Sequence, residues 1–297
     1  MFDLRYHVAS LAAVFFALVI GILVGVALAS HGLGNTERDR LQEDVRRAQA
    51  RGDSLKSQLD TLSADSATDH TFVEHTYRVV MANRLKGKKI AVLFVGSENG
   101  DLRSAVTRAL GDADAGPPVR VRVVKVPIDE SALTKRLKNR PFLAAYAGAT
   151  QLEELGHALG QEFVAGKETP LWSALQNLIV EEQFGNAKRP ADGVVVVRTS
   201  EAQTGATARF LKGLYAGLGD VGVPAVGVEA SSSDHSAMKT FQKAGLSTVD
   251  DVDNRAGKLA LVLVLSDLSV TGDFGSKTTA HDGLLPSVVP PTTTTGG

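Results

Sequence analysis

Residues 87–96 read GKKIAVLFVG, and the six apolar positions from Ile90 to Val95 sit between two glycines. An unbroken apolar run of this length suits a strand buried on both faces, the setting of a parallel sheet covered by helices. Two shorter runs repeat the theme downstream, GVVVV at 193–197 and PAVGV at 224–228. Residues 119–126 (VRVRVVKV) alternate instead, like a strand nearer an edge. A short strand is expected at 247–249.

Helical patterns fall between these runs, at 102–110, 130–137, 141–164, 170–184, 206–218, 234–244 and 254–266. Strands alternating with helices predict an α/β domain of βαβ units, Rossmann-like in the broad sense, over residues 87–270. Beyond it, residues 271–297 are rich in Gly, Thr and Pro and are expected to be an extended or disordered tail.

Upstream the chain changes character twice. Residues 8–29 carry no charge over 22 positions, enough helix to cross about 30 Å of hydrocarbon. This run makes residues 1–35 an N-terminal tail, transmembrane anchor and joint. The rival is a cleaved signal peptide ending at Ala27-Leu28-Ala29, but the run is long for one and its leading segment holds only Arg5 against Asp3. Small residues recur every fourth position through the run, and Gly21 and Gly25 form a GxxxG, the spacing that lets transmembrane backbones approach. Charge does not orient the span, because Arg38, Arg40, Arg46 and Arg47 on the far flank alternate with acids.

Residues 36–86 then form a helical stalk. Leu41, Val45, Ala48, Gly52, Leu55, Leu59, Leu62 and Ser66 step by alternating fours and threes, the spacing of a coiled-coil seam. A second helical face, from Phe72 to Arg84 and ending at Gly87, is expected to dock on the α/β domain. Gly21, Gly25, Leu41, Val45, Leu55, Leu59 and Leu62 are the candidate helix–helix contacts of a homo- or hetero-oligomer.

Composition narrows the function. The 297 residues include no cysteine, which excludes disulfides, thiolate nucleophiles and Cys-held metals. A net charge of −1 gives no support to nucleic-acid binding. Mean hydropathy is +0.01, lifted by the anchor and the buried strands.

Motifs for chemistry fail on context. GLGDVG at 217–222 matches GxGxxG, yet it ends a helix and enters a strand, whereas a phosphate cradle leads from strand to helix. There is no Walker sequence, no GxSxG and no HExxH. SSSDH at 231–235 reads as a cap for the helix expected from Asp234. Asp250, Asp251 and Asp253 precede the last helix and read as its caps, with a hard-cation site as the rival. The loop Gly96, Ser97, Glu98, Asn99 and Gly100, together with those aspartates, is the candidate ligand or docking surface. A pocket is sought at the carboxyl ends of the strands, near 96–100 and 229–233. No catalytic residue, cofactor site or metal site is assigned, and the chain is expected to be no enzyme. Copper is unsupported by ligands: His7, His31, His70, His75, His157, His235 and His281 are scattered, as are three methionines.

The opening block MFDLRYHVASLAAVF at 1–15, continuing into GILVG at 21–25, resembles the actinobacterial copper-transport outer-membrane protein family (MctB-like). LSTVDDVDNRAGKLALV at 246–262 is similar to that family's second recurring block. The resemblance implies an exported α/β domain on the periplasmic side and a cytoplasmic N-terminus, with the mycolate outer membrane as the alternative location. It also implies two roles. One is copper efflux as, or with, an outer-membrane channel; the other is partnership with a second membrane protein in cell separation, controlling wall hydrolases, as for SteB-type members. A single apolar helix and buried strands do not make a barrel. The sequence therefore favours a non-enzymatic scaffold in cell separation, with copper homeostasis as the alternative.

Overall fold

Where side chains alternate along a strand and both sets are apolar, both faces of the sheet must be covered. That condition is met here. The structure, a computed structural model, describes residues 4–32, 35–186 and 188–288, and the chain divides into two compact units, Met1–Phe72 and Val73–Gly297.

The first unit is helical. α1 (Leu4–Gly32) contains one stretch, Ser10–Ala27, long and apolar enough to cross a membrane, and none of it is buried. α2 (Asn35–Met81) is a single helix of 47 residues, about 70 Å long, running past the unit boundary. Two separate helical stretches were expected, but residues 62–76 contain neither Gly nor Pro to interrupt the helix. Local bonds support it: Glu43 accepts from Arg47 at 2.7 Å, and Thr61, Thr68 and Thr71 each donate to the carbonyl four residues back.

The second unit holds a seven-stranded sheet in the order β3-β2-β1-β4-β5-β6-β7. Its strands are β1 (Ile90–Val95), β2 (Arg120–Val124), β3 (Val180–Gly185), β4 (Gly193–Arg198), β5 (Ala225–Val228), β6 (Ser247–Val249) and β7 (Asp273–Phe274). All neighbours run parallel except β2 and β3. The helices between them are α3 (Gly100–Asp112), α4 (Glu130–Lys138), α5 (Leu152–Ala165), α6 (Pro170–Ile179), α7 (Gly205–Gly219), α8 (Met238–Lys243) and α9 (Arg255–Ser266).

Alternation then builds two cores. Ala91, Leu93, Val95, Val194 and Val196 face α4 to α8, while Ile90, Val92, Phe94, Val195 and Val197 face α3 and α9. On the second face Met81 and Leu85 are fully buried, and the Tyr77 hydroxyl donates to Asp112 at 2.9 Å. Of the face expected to dock, Tyr77 and Met81 do so within this unit, whereas Val73 stays exposed and Phe72 belongs to the other unit.

Four expectations need correction. The helix read over 170–184 ends at Ile179, and residues 180–185 become the antiparallel edge strand β3, which pairs with β2. The sheet is accordingly mixed, not wholly parallel. The helix read over 141–164 opens as two 3-10 turns and becomes α-helical only at Leu152. The helix expected from Asp234 begins four residues later, at Met238, and its capping residue Ala237 makes no side-chain capping bond. Finally, the segment after 270 is not wholly a tail. β7 joins the sheet beside β6, and Phe274 is buried. Residues 289–297 lie outside the described residues.

Candidate functional site

Strand order reverses between β1 and β4, because the chain crosses from β1 to β2 on one side and from β4 to β5 on the other. Loops leaving the carboxyl ends of these strands diverge and leave a crevice. Here it is a cleft of about 270 Å³.

β1 ends at Gly96, whose φ of +103° suits glycine, and a Cβ there would come within 2.8 Å of the Ser200 amide. That close approach lets the Thr199 hydroxyl donate to the Ser97 carbonyl. Asn99 then caps α3, accepting from the Asp101 and Leu102 amides at 3.0 Å each. Asn99 and Asp101 form one wall of the cleft. Arg198 and Thr199 at the end of β4 form another, and Ser232 to His235 and Asp253 complete it. Arg198 is buried and donates to the Ser236 carbonyl at 2.8 Å, tying β4 to the loop after β5, while its Nε has no partner.

The expected site residues divide. Gly96, Asn99, Gly100 and Asp253 shape or begin the elements around the cleft. Glu98 turns aside to Arg103, whose guanidinium lies 4.8 Å from the Phe184 ring centroid. The Glu98 carboxylate raises the Glu182 carboxyl on β3 above its usual range.

The three aspartates do not act together. Asp250 is buried and accepts from the Ser276 amide at 2.9 Å, the Lys277 amide at 3.2 Å and the Thr279 hydroxyl at 3.1 Å. A Cβ on Gly275 would lie 2.0 Å from its Oδ1, so residues 275–279 wrap directly around this carboxylate. Asp251 is buried with Oδ1 unpartnered, and burial, then Asp250, raise its carboxyl. Burial pushes the Asp253 carboxyl up, but donation from the Ser231 hydroxyl at 2.6 Å and amide at 2.7 Å outweighs it and holds the group low. None of these bonds reaches a free amide of α9, whose capping residue Asn254 makes no side-chain capping bond. The reading of the block as helix caps is corrected: Asp250 and Asp253 satisfy neighbouring loops.

Sequence reasoning missed the ion pair between buried Glu229 and part-buried Lys277. Glu229 accepts from Lys277 Nζ at 2.7 Å and from the Ala237 amide at 2.9 Å. A lone lysine in a Thr/Gly-rich segment carries no sequence signal for this role. Arg198 and Thr199 were legible in principle, as the residues following a strand at the switch point.

The cleft presents Asp101, Asp234 and Asp253 against one guanidinium, so its charge opposes phosphates and other anions. Among the described residues no three His, Asp or Glu side chains come together as metal ligands. His157, His235 and His281 each face one carboxylate, of Asp220, Glu201 and Asp273. In the first unit, Leu41, Val45, Leu55, Leu59 and Leu62 are 69, 50, 60, 66 and 64% exposed. Gly21 and Gly25 have open space where a Cβ would stand.

The profile of the family described as "Copper transport outer membrane protein, MctB" matches residues 1–285. Proteins named "Copper transporter MctB" from Mycobacterium tuberculosis and Mycobacterium bovis are 26% identical over 319 residues, covering 97% of this chain and 99% of each relative. The chain belongs to the MctB family.

Proposed function

We propose that this family member is a non-enzymatic, single-pass envelope protein that assembles through α2 and serves copper homeostasis by holding a membrane partner. In this reading α1 crosses the cell membrane, the N-terminus is cytoplasmic and the α/β unit stands on the outer side. One observation carries the proposal. Five large apolar side chains at heptad spacing are each half or more exposed on α2, and a second helix would bury them. The copper role rests on the names of the relatives. The described strands form one open sheet with helices on both faces, so copper passage is assigned to the assembly rather than to a barrel of this chain.

A second reading keeps the same assembly but places it in cell separation and the control of wall hydrolysis. The absence of grouped metal ligands among the described residues favours it. Both readings are tested in a deletion strain complemented with wild type or with Leu55→Asp/Leu59→Asp. Copper homeostasis expects cell-associated copper to rise on deletion and to fall only with the wild-type gene. Unchanged copper with chains of unseparated cells would select the second reading. Full rescue by the double variant, at equal membrane abundance, would contradict assembly through α2.

A further inference from the structure

β2 carries two arginines on one face, Arg120 and Arg122, where the strand's alternation points them toward α5 and α6. Arg120 is wholly buried and both its terminal nitrogens are met internally, donating to the Phe163 and Arg189 carbonyls, while its Nε has no partner and the guanidinium stacks 5.5 Å from the Phe163 ring centroid. Burial, then the neighbouring Arg122, lowers its pKa to about 10.

Arg122 is different. It is only 7% exposed, its Nε is buried without a partner, and it forms no hydrogen bond or ion pair among the described residues. Its one close companion is the face of Trp172, with Cζ 5.8 Å from the ring centroid. The Glu162 carboxylate on α5 accepts from the Leu171 and Trp172 amides at the start of α6. A buried guanidinium without an acceptor is costly, because nothing replaces the water it lost.

Arg122 opens onto a cleft of about 310 Å³, distinct from the one at the switch point. Thr169, Trp172, Ser173 and Gln176 from the start of α6 line it, and Gln183 closes it from β3, directly opposite Arg122 in the strand register. Among the described residues no carboxylate lines it. Two hydroxyls and two carboxamides thus surround an unpaired planar cation. A guanidinium fork matches the two oxygens of a carboxylate or phosphate, and the surrounding hydroxyls and amides can donate to the remaining lone pairs.

We infer that this cleft is a binding site for the oxyanion group of a small molecule, a carboxylate or a phosphate, with Arg122 pairing its charge. The acidic cleft at the switch point and the seam of α2 play no part, so this site stands or falls independently of the assembly proposed above.

Trp172 is the only tryptophan in the chain, so its emission reports this cleft alone. The full-length protein in detergent is titrated with inorganic phosphate and, separately, with citrate, against sodium chloride at matched ionic strength. A saturable emission change with one of the two is expected, and which one responds identifies the oxyanion. Arg122→Met should weaken the response at least tenfold while leaving thermal stability without anion equal to or above wild type. Arg122→Lys, which keeps the charge but loses the fork, should weaken it about tenfold with the fold intact, and covers the case in which the methionine variant does not fold. No saturable change with either anion would overturn the site. So would an Arg122→Met or Arg122→Lys protein that responds as wild type does.

Discussion

Asp253 shows how a single carboxylate is placed by neighbours that are remote in sequence. Its acceptor atoms serve Ser231, 22 residues away, rather than the helix that follows it. Adjacent acids before a helix normally read as caps, and here the tertiary position of the loop after β5 overrode that local preference. The same cause hid Asp250, whose donors come from residues 276–279. Because the folded Asp253 carboxyl is held below its ordinary value, its contribution is present above pH 3.8 and is lost as pH falls further, through the folded value. Asp253→Asn should therefore destabilise by about 1 kcal/mol at pH 7, a modest figure because the group is exposed. The difference from wild type should persist at pH 5 and shrink below pH 3.8; urea midpoints at several pH values check this. A difference that grows on acidification would reverse the sign.

At the level of elements, the apolar runs that became β1, β4 and β5 were legible because burial on both faces leaves a continuous signature. β3 was not. Val180-Glu-Glu-Gln-Phe-Gly185 continues an amphipathic helical pattern, and only the open edge of β2 makes it a strand. Its exposed Glu181 and Glu182 fit an edge that must not pair further. The helix pair α5 and α7 was also hidden. Gly156 and Gly160 on one face Gly213 and Gly217 on the other so closely that a Cβ on Gly217 would lie 2.0 Å from the His157 carbonyl, and one on Gly213 1.9 Å from that of Glu153. Two GxxxG motifs therefore lock a soluble helix crossing, where sequence reasoning looked for that motif only in the membrane. Gly217→Ala should cost roughly 3 kcal/mol or more through overpacking. The urea midpoint of the full-length protein checks it, with the exposed Gly52→Ala as a control expected to cost nothing. Equal stability of Gly217→Ala and wild type would contradict the close packing.

For the whole molecule, the family and the α/β class were readable from the sequence, because an N-terminal block and a run of buried strands carry them. The cleft at the switch point was readable in location, near 96–100 and 229–233, but not in charge, since Asp101, Asp234 and Arg198 meet only after folding. The heptad spacing along α2 is local and can be read from the sequence, and the structure adds that Leu41, Val45, Leu55, Leu59 and Leu62 are exposed on that helix. In the proposed function a second helix covers them. The direct measurement is the mass of the full-length protein extracted from its native membrane in detergent, for wild type and for Leu55→Asp/Leu59→Asp. Assembly through α2 predicts a wild-type complex well above the 31.3 kDa of one chain, and a double variant that runs as one chain. The same mass for both proteins would contradict it.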